Sequence, residues 1–393
     1  RRPRSRGARG HSHSHRQPFM SEDQPEPDRI EGAPHPRHTR RLIGQDRAET
    51  AFLQAFNGKH LHHGWLITGP RGVGKATLAW KIARFLLATP DDDGGMFAAP
   101  PPTSLDIPDS HPVAHRMAAL SESRLFLLRR AWDEKKSKLQ DIISVDEVRK
   151  MKSFFALSAA DGGRRVAIID SIDEMNPSAA NALLKLLEEP PARVTLLMIS
   201  HQPARLLPTI RSRVRELRVA PLQPDALSEA PTRAGGGVAP GARTALAELA
   251  GGSVGEAFRM TNLDGLKLYQ SLIRLMETLP NLDRPRALAL AEAGAGRGAE
   301  AQFELIVTLI DLFLARLARA GTLGHLPPAA AKGESDLIAR LSPTPAHARQ
   351  WADLAQHLGL RARKGKAVNL DPAALLMDMV LQINTTAGLL AQR

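Results

Sequence analysis

A glycine-rich loop between an apolar run and a helical pattern constrains the fold of this chain more than any other feature. The loop reads Gly69-Pro-Arg-Gly-Val-Gly-Lys75 and follows the apolar run Trp65–Thr68. Glycines let backbone N–H groups turn inward around phosphate oxygens, and the following helix adds partial positive charge at its N-terminus. The order of strand, loop and helix predicts a phosphate site, with a glycine-rich turn that holds no ligand as the alternative.

Short apolar runs alternate with amphipathic stretches from about Leu42 to Val219, which is typical of a parallel sheet covered by helices. The predicted strands are Trp65–Thr68, Val166–Asp170 and Val194–Ser200. The predicted helices are Asp46–Asn57, Lys75–Leu87, Val145–Phe155 and Pro177–Glu189. The last helix has a capping residue, Asn176, and an expected apolar stripe of Ala180, Leu183, Leu184 and Leu187.

Beyond the sheet region the pattern contains helices only. A loop is predicted at Ala88–Pro112, and a second break at Pro231–Gly241. The predicted helices after the second break are a small unit over 242–262 and then Leu266–Leu279, Ala299–Ala320, Ala346–Leu358 and Pro372–Leu390. The chain is therefore expected to be an α/β domain followed by all-helical parts.

The predicted nucleotide site lacks a group that hydrolysis needs. The residues expected to hold a nucleotide are Gly69, Arg71, Gly72, Gly74, Lys75, Ala76 and Thr77, together with Asp170. Position 76 should carry a hydroxyl for Mg²⁺, but alanine has no oxygen to offer. Thr77 lies about 100° further round the helix and does not replace that hydroxyl.

The second half of the predicted site is also incomplete. Asp170 ends an apolar strand and can hold a metal ion, whereas Ser171 stands where a glutamate would polarise the attacking water. The pair Asp173-Glu174 comes three residues later and is expected not to replace that glutamate. Because phosphoryl transfer depends on positioning and charge stabilisation, nucleotide binding is expected to survive better than hydrolysis.

Two segments carry a resemblance to a known family. With Asn181-Ala-Leu-Leu-Lys-Leu-Leu-Glu-Glu-Pro-Pro191 and Leu207-Pro-Thr-Ile-Arg-Ser-Arg213, the chain resembles the clamp-loader branch of the AAA+ ATPases. Within it, the chain is similar to the delta-prime family of bacterial DNA polymerase III subunits. The resemblance implies a P-loop AAA+ domain over 40–222, a helical lid over 223–265 and an all-α collar for oligomerisation over 266–393. Residues 1–39 are expected to be a disordered segment.

The same resemblance implies a role for Ser212 and Arg213 in catalysis by another subunit. In the family this motif is an arginine finger that points into the nucleotide site of the neighbouring subunit, whereas a solvated or paired surface arginine is the alternative. Gly255 stands where active subunits usually carry a second-sensor arginine, and Ser200 where a first-sensor side chain would lie. The implied partners are delta and gamma/tau subunits, the sliding clamp and primer-template DNA.

Composition limits the cofactors and the location of the chain. Cysteine is absent, which excludes disulfides and thiolate zinc sites and is typical of a reducing cytoplasm. Many family members carry a four-cysteine zinc module, so no zinc is expected here, and His111 with His115 is not expected to form a metal site. No required cofactor is expected beyond degenerate ATP or ADP binding. No apolar run reaches the roughly 18–20 residues of a membrane span.

The basic segments leave other functions open. Half of the formal charge of +12 comes from six arginines in residues 1–19, which are read as sequence upstream of the native start or a disordered tail, with an RNA-binding arm and a transit peptide as alternatives. The patch Arg361–Lys366 is expected to be a solvated interhelical loop. The rival functions are an active AAA+ ATPase, such as a hydrolysing gamma/tau-type subunit, and a stand-alone nucleic-acid binder.

Overall fold

Five parallel strands form the main sheet, and a short antiparallel pair lies outside it. The strands are β1 (Gly64–Thr68), β2 (Leu125–Arg129), β3 (Trp132–Asp133), β4 (Lys138–Leu139), β5 (Arg165–Asp170), β6 (Val194–Ser200) and β7 (Arg215–Arg218). Across the main sheet their order is β2-β5-β6-β1-β7, and β3 pairs with β4. The computed structural model describes residues 26, 33–39, 41–58, 61–90, 100–157, 163–233, 240–296 and 298–392.

Helices connect the strands and then make up the rest of the chain. Those of the sheet region are α1 (Asp46–Asn57), α2 (Lys75–Ala88), α3 (Pro112–Ala118), α4 (Val145–Leu157), α5 (Pro177–Glu188) and α6 (Pro208–Arg211). Those that follow are α7 (Pro224–Arg233), α8 (Arg243–Ala250), α9 (Val254–Asn262), α10 (Gly265–Met276), α11 (Arg284–Ala293), α12 (Glu300–Leu323), α13 (Glu334–Leu341), α14 (Pro345–Ala367) and α15 (Pro372–Ala391).

The sheet is buried on both faces, which explains why its central strands are apolar throughout. Successive side chains of a strand point to opposite faces. Ile67 of β1 therefore packs in one core with α1 and α2, whereas its neighbour Leu66 packs in the other with α4 and α5. This arrangement confirms the predicted fold class in its main features, a parallel sheet covered by helices and followed by an all-helical part.

The two edge strands were not predicted, although β2 is an apolar run and only β7 lacks a strand signal. β7 has three exposed residues and one buried residue, Leu217, so its sequence reads as polar. The predicted apolar stripe of α5 is also partly wrong. The buried residues are Ala179, Leu183, Leu186 and Leu187, whereas Ala180 and Leu184 lie at the margin of the core. The stripe is rotated because α5 packs against both α4 and the sheet.

Residues before α1 lie against the sheet domain. His35 is buried, and its ring packs edge-on against Trp80 of α2 with 5.9 Å between ring centroids. Glu26 pairs with Arg37 and with Arg129 at the end of β2. The described part of the segment 1–39 is therefore wrapped on the surface of the α/β domain, while residues 1–25 and 27–32 lie outside the described residues.

The helices that follow the sheet share a single hydrophobic core. It extends from Leu227 of α7 to Leu390 of α15, and α12 packs along most of α14 at its centre. Trp351 of α14 is fully buried, and its indole N–H donates to the carbonyl oxygen of Leu341 at 2.8 Å. Two helices of this part, α11 and α13, were not predicted. The expected break at Pro231–Gly241 begins later than predicted, since α7 continues to Arg233.

The prediction of a loop at Arg361–Lys366 is wrong, because α14 continues to Ala367. The side chains are held by neighbouring helices. Arg363 pairs with Glu304 and Asp311 of α12, and Arg361 pairs with Asp378 of α15. The helix continues through this basic stretch because those acidic partners neutralise much of its charge.

Within the described residues, α15 is the one helix long and apolar enough to cross a membrane. This is weak evidence for a span, since a core helix passes the same test. Ile383 and Leu376 of α15 are fully buried in the helical core, and Asp378 forms the ion pair with Arg361. The contacts of α15 are those of a core helix.

A buried ion pair joins α12 to the start of α13, and a further contact adds α8. The carboxylate of Glu334, which is inaccessible to solvent, accepts from the Arg316 guanidinium at 2.7 Å and from the Tyr269 hydroxyl at 2.6 Å. Arg316 also donates to Glu248 of α8 at 3.1 Å. Burial and the Glu334 charge raise the pKa of Tyr269, so the phenol stays a donor. The network fixes α8, α10, α12 and the start of α13 relative to one another.

Replacing Glu334 tests this network. Glu334→Ala leaves the buried Arg316 cation and the Tyr269 hydroxyl without their common acceptor, and breaking a buried pair in this way typically costs about 3–5 kcal/mol. We expect a loss of that size in the free energy of unfolding measured with urea. Glu292→Ala, on the exposed face of α11, is the matched control and should change it by less than about 0.5 kcal/mol. Equal effects of the two variants would contradict the assigned role.

Candidate nucleotide site and candidate arginine finger

Strand pairing gathers the predicted nucleotide-site residues at one edge of the sheet. Thr68 of β1 lies beside Ser200 of β6, and Asp170 of β5 lies beside Ile199 of β6. All three strands are parallel, so their carboxyl ends meet at the same edge. The glycine-rich loop begins directly after Thr68, which brings it next to Asp170 and Ser200.

The loop is packed closely between the sheet and the helix α9. A Cβ on Gly69 would lie 2.3 Å from the carbonyl oxygen of Val219, and one on Gly72 would lie 2.2 Å from the Ser253 hydroxyl. The carbonyl oxygen of Gly72 accepts from the Gly255 backbone N–H at 3.0 Å. The loop and the N-terminus of α9 therefore approach each other backbone to backbone. Gly255 fits this contact because it has no side chain.

Lys75 is buried and is bonded to its own loop. It lies at the start of α2, is 3% exposed, and donates to the carbonyl oxygen of Gly69 at 2.8 Å and to that of Pro70. Burial lowers the pKa of Lys75 to about 8, although the carboxylates of Asp170 and Asp173 oppose this shift. A bound phosphate would have to replace the two carbonyl partners of the ammonium group.

The remaining loop positions have distinct surroundings. Ala76 is half-buried and its methyl group packs at the margin of the core beneath α2, where it offers no ligand to a metal ion. Thr77 is also half-buried on the next position of the helix, and Gly74 precedes Lys75 in a left-handed backbone conformation. Arg71 is exposed at the tip of the loop.

The end of β5 carries one acid in the expected place and no acid beside it. Asp170 is half-buried at the strand end, close enough to Lys75 to raise its pKa. Ser171 is 2% exposed, and its hydroxyl has no hydrogen-bond partner among the described residues. A buried serine at this position supplies no negative charge to activate water.

Asp173 is oriented toward the site, which the sequence did not indicate. One oxygen of its carboxylate accepts from the Ser200 hydroxyl at 2.7 Å, and the other accepts from the backbone N–H of His201. The Asp173 charge also acts on Lys75. Both oxygens of Asp173 are therefore engaged by β6 and its end. The adjacent Glu174 pairs with Arg130 at 3.0 Å.

His201 is a further member of the site that sequence reasoning missed. Burial lowers the pKa of His201 to about 4, and the charges of Lys75 and Arg71 act in the same direction. The imidazole is therefore neutral at neutral pH and adds no charge to the pocket. Its position directly after Ser200, at the carboxyl end of a central strand, is the signal that could have identified it.

Ser212 and Arg213 lie at the opposite edge of the sheet. Arg213 precedes β7, and its carbonyl oxygen lies 3.6 Å from the position of a Cβ on Gly64, the first residue of β1. The loop begins five residues further along β1, which at about 3.3 Å per residue is roughly 16 Å away. The Arg213 side chain is 37% exposed and pairs with Glu188 at 3.1 Å. The structure therefore does not bring Arg213 to the nucleotide site of its own chain.

His111 and His115 belong to the helix α3 and its N-terminal cap. The ring of His111 caps the N-terminus of α3 by accepting from the Val113 backbone N–H at 3.2 Å, and His115 lies within that helix. No group of three or more histidine, aspartate or glutamate residues in the described ranges is placed to hold a metal ion.

The contact between the loop and α9 can be tested with a pair of glycine variants. Gly72→Ala forces a Cβ into the Ser253 hydroxyl, whereas Gly324→Ala places one in open space at nearly the same backbone angle, φ +71° compared with +73°. Both variants bear the cost of a positive φ, of order 1 kcal/mol. We expect Gly72→Ala to lose more free energy of unfolding than Gly324→Ala and to speed amide exchange at Gly255. Equal losses, with unchanged exchange, would refute the contact.

Comparison with known proteins identifies the sheet-containing part of the chain. The family model described as "DNA polymerase III, delta subunit" matches residues 44–223. DNA polymerase III subunit delta' of Pseudomonas aeruginosa is 37% identical over 166 residues, which cover 42% of this chain and 45% of that protein. DNA polymerase III subunit tau of Salmonella typhimurium is 27% identical over 284 residues, which cover 70% of this chain and 40% of that protein.

The structure also aligns with solved structures at low identity. A DNA polymerase III gamma subunit-related protein of Thermotoga maritima aligns with 86% of this chain and 99% of its own, at 17% identity and a TM-score of 0.40. The chain spans less than half the length of the two curated relatives. The family-model match covers the loop, Asp170 and Arg213. The chain is thus similar to the delta' and tau subunits of DNA polymerase III, and the family model places the similarity at residues 44–223.

Proposed function

We propose that this chain is a non-hydrolysing clamp-loader subunit that lends Arg213 to the nucleotide site of a neighbouring subunit. One observation carries the proposal: Arg213 is partly exposed at the sheet edge opposite to its own glycine-rich loop. A guanidinium there serves a nucleotide only on another chain. Arginines supplied in trans stabilise the charge of the phosphoryl-transfer transition state in related NTPases.

The chain's own site supports a role without hydrolysis. Ala76 offers no oxygen to Mg²⁺, and Ser171 is a buried serine where a water-activating carboxylate is needed. Position 255, whose backbone N–H bonds to Gly72, is a glycine and supplies no second-sensor arginine to the site. We propose that the site requires no cofactor, and that ATP or ADP binds there weakly if at all.

The assembly in which the chain would act is also part of the proposal, and the similarity to DNA polymerase III subunits supports it. The partners would be delta and gamma/tau-type subunits of bacterial DNA polymerase III, and the assembled loader would place a sliding clamp on primer-template DNA in the cytoplasm. The all-helical part from α10 to α15 would serve as the collar that joins the subunits. A chain that holds its shape and lends one arginine would act as a fixed wedge in such a ring.

The Arg213→Ala variant tests the proposal in a loader reconstituted with gamma/tau-type and delta subunits. We expect the ATP turnover of the site next to Arg213 to fall strongly, since an arginine finger is worth about 10³–10⁵ in rate in related NTPases. Arg211→Ala, an exposed arginine on the last turn of α6, is the control and should leave turnover unchanged. Undiminished DNA- and clamp-stimulated turnover with Arg213→Ala would refute the proposal.

A hydrolysing gamma/tau-type subunit is the second candidate. It is favoured by the similarity to tau over 70% of this chain, and by the engagement of Asp173 near Lys75. Steady ATP hydrolysis by the isolated chain, lost on Lys75→Ala, would support this candidate and contradict the first. We expect no ATP turnover above background from the isolated chain or from its Lys75→Ala variant.

A further inference from the structure

Arg213 is held by a carboxylate of its own chain. The guanidinium contacts Glu188 at 3.1 Å, and it also donates to the carbonyl oxygen of Thr209 at 2.9 Å. Glu188 is the last residue of α5, and its side chain is 49% exposed. The guanidinium of the proposed finger is therefore held by one backbone carbonyl oxygen and one exposed acid.

The fold brings Glu188 close to Arg213, and the position of Glu188 on its helix favours a positively charged partner. Gly64 lets Leu187 of α5 and the chain around Arg213 approach the start of β1, because a Cβ on Gly64 would lie 3.1 Å from Leu187. Negative charge is unfavourable at a helix C-terminus, where the helix dipole is also negative. Glu188 therefore gains from a nearby cation. Lys185, one turn earlier on α5, is within reach when Arg213 leaves.

We propose that Glu188 is a positioning residue that keeps Arg213 at the subunit surface and releases it to the triphosphate of a neighbouring subunit. This inference rests on the proposed function of Arg213. A triphosphate carries several charges and accepts the guanidinium at more than one oxygen, so it competes effectively with a single carboxylate. Because the pair is exposed, it resists release only slightly, by a factor of about two to five.

The inference predicts a change in nucleotide dependence rather than in maximal rate. In the reconstituted loader, Glu188→Gln removes the competing carboxylate, so the ATP concentration that gives half-maximal turnover should fall about two- to fivefold. The maximal rate should stay the same, because Glu188 makes no contact with the transition state. Glu189→Gln makes the same charge change one residue later, on an exposed residue, and should leave both quantities unchanged.

Two further measurements assign the effect to Arg213. In the Arg213→Ala background, Glu188→Gln should add no further change, because the pair no longer exists. Salt screens exposed charge pairs, so the difference between wild type and Glu188→Gln should shrink as the salt concentration rises. Thermal unfolding of the isolated Glu188→Gln chain should match wild type, which excludes a change in folding as the cause.

Other outcomes overturn the inference, and they distinguish a failure of the role of Glu188 from a failure of the role of Arg213. A half-saturating ATP concentration that is unchanged or raised with Glu188→Gln, or lowered equally with Glu189→Gln, refutes the role of Glu188 and leaves the role of Arg213 intact. An effect of Glu188→Gln that persists in the Arg213→Ala background also refutes the role of Glu188 and leaves the role of Arg213 intact. If Arg213→Ala itself has no effect on turnover, both the proposed function and this inference fail.

Discussion

The parallel pairing of β1 with β6 on one side and β7 on the other is the constraint on which the rest of the structure depends. These hydrogen bonds fix the direction of all three strands. The loop that follows β1 must then lie at the carboxyl edge of the sheet, and the segment that precedes β7 at the amino edge. One set of backbone hydrogen bonds thus separates the nucleotide site from Arg213.

Several polar groups of the carboxyl edge bond to one another or to the loop backbone. Lys75 is bonded to the carbonyl oxygens of its own loop, and Asp173 to the Ser200 hydroxyl and the His201 backbone N–H. The backbone of Gly255 closes the loop from the helical side. Two internal carbonyl oxygens occupy two of the three donors of the Lys75 ammonium group, and Ala76 supplies no metal ligand.

The helical part depends on a different kind of interaction. The buried Arg316–Glu334 pair crosses from α12 to α13, with Glu248 of α8 as a further acceptor. A buried pair is expensive to break, so it holds α12 and α13 together, and the contact with Glu248 adds α8. The glycine-rich loop contacts the helical part through the backbone of Gly255 at the start of α9. The sheet and the helices that follow it are therefore in contact at this point.

The sequence alone determined the central strands, the glycine-rich loop and the missing hydroxyl at Ala76, since buried strands and phosphate loops require residue types that local patterns reveal. The edge strand β7 gave no such signal, because it buries only Leu217. The helical continuation through Arg361 was not predicted either, since its stability comes from acids on other helices. Only the tertiary structure brought Asp173 and His201 to the site and Glu188 to Arg213, because these contacts join residues that are distant in sequence and whose spacing follows no local rule.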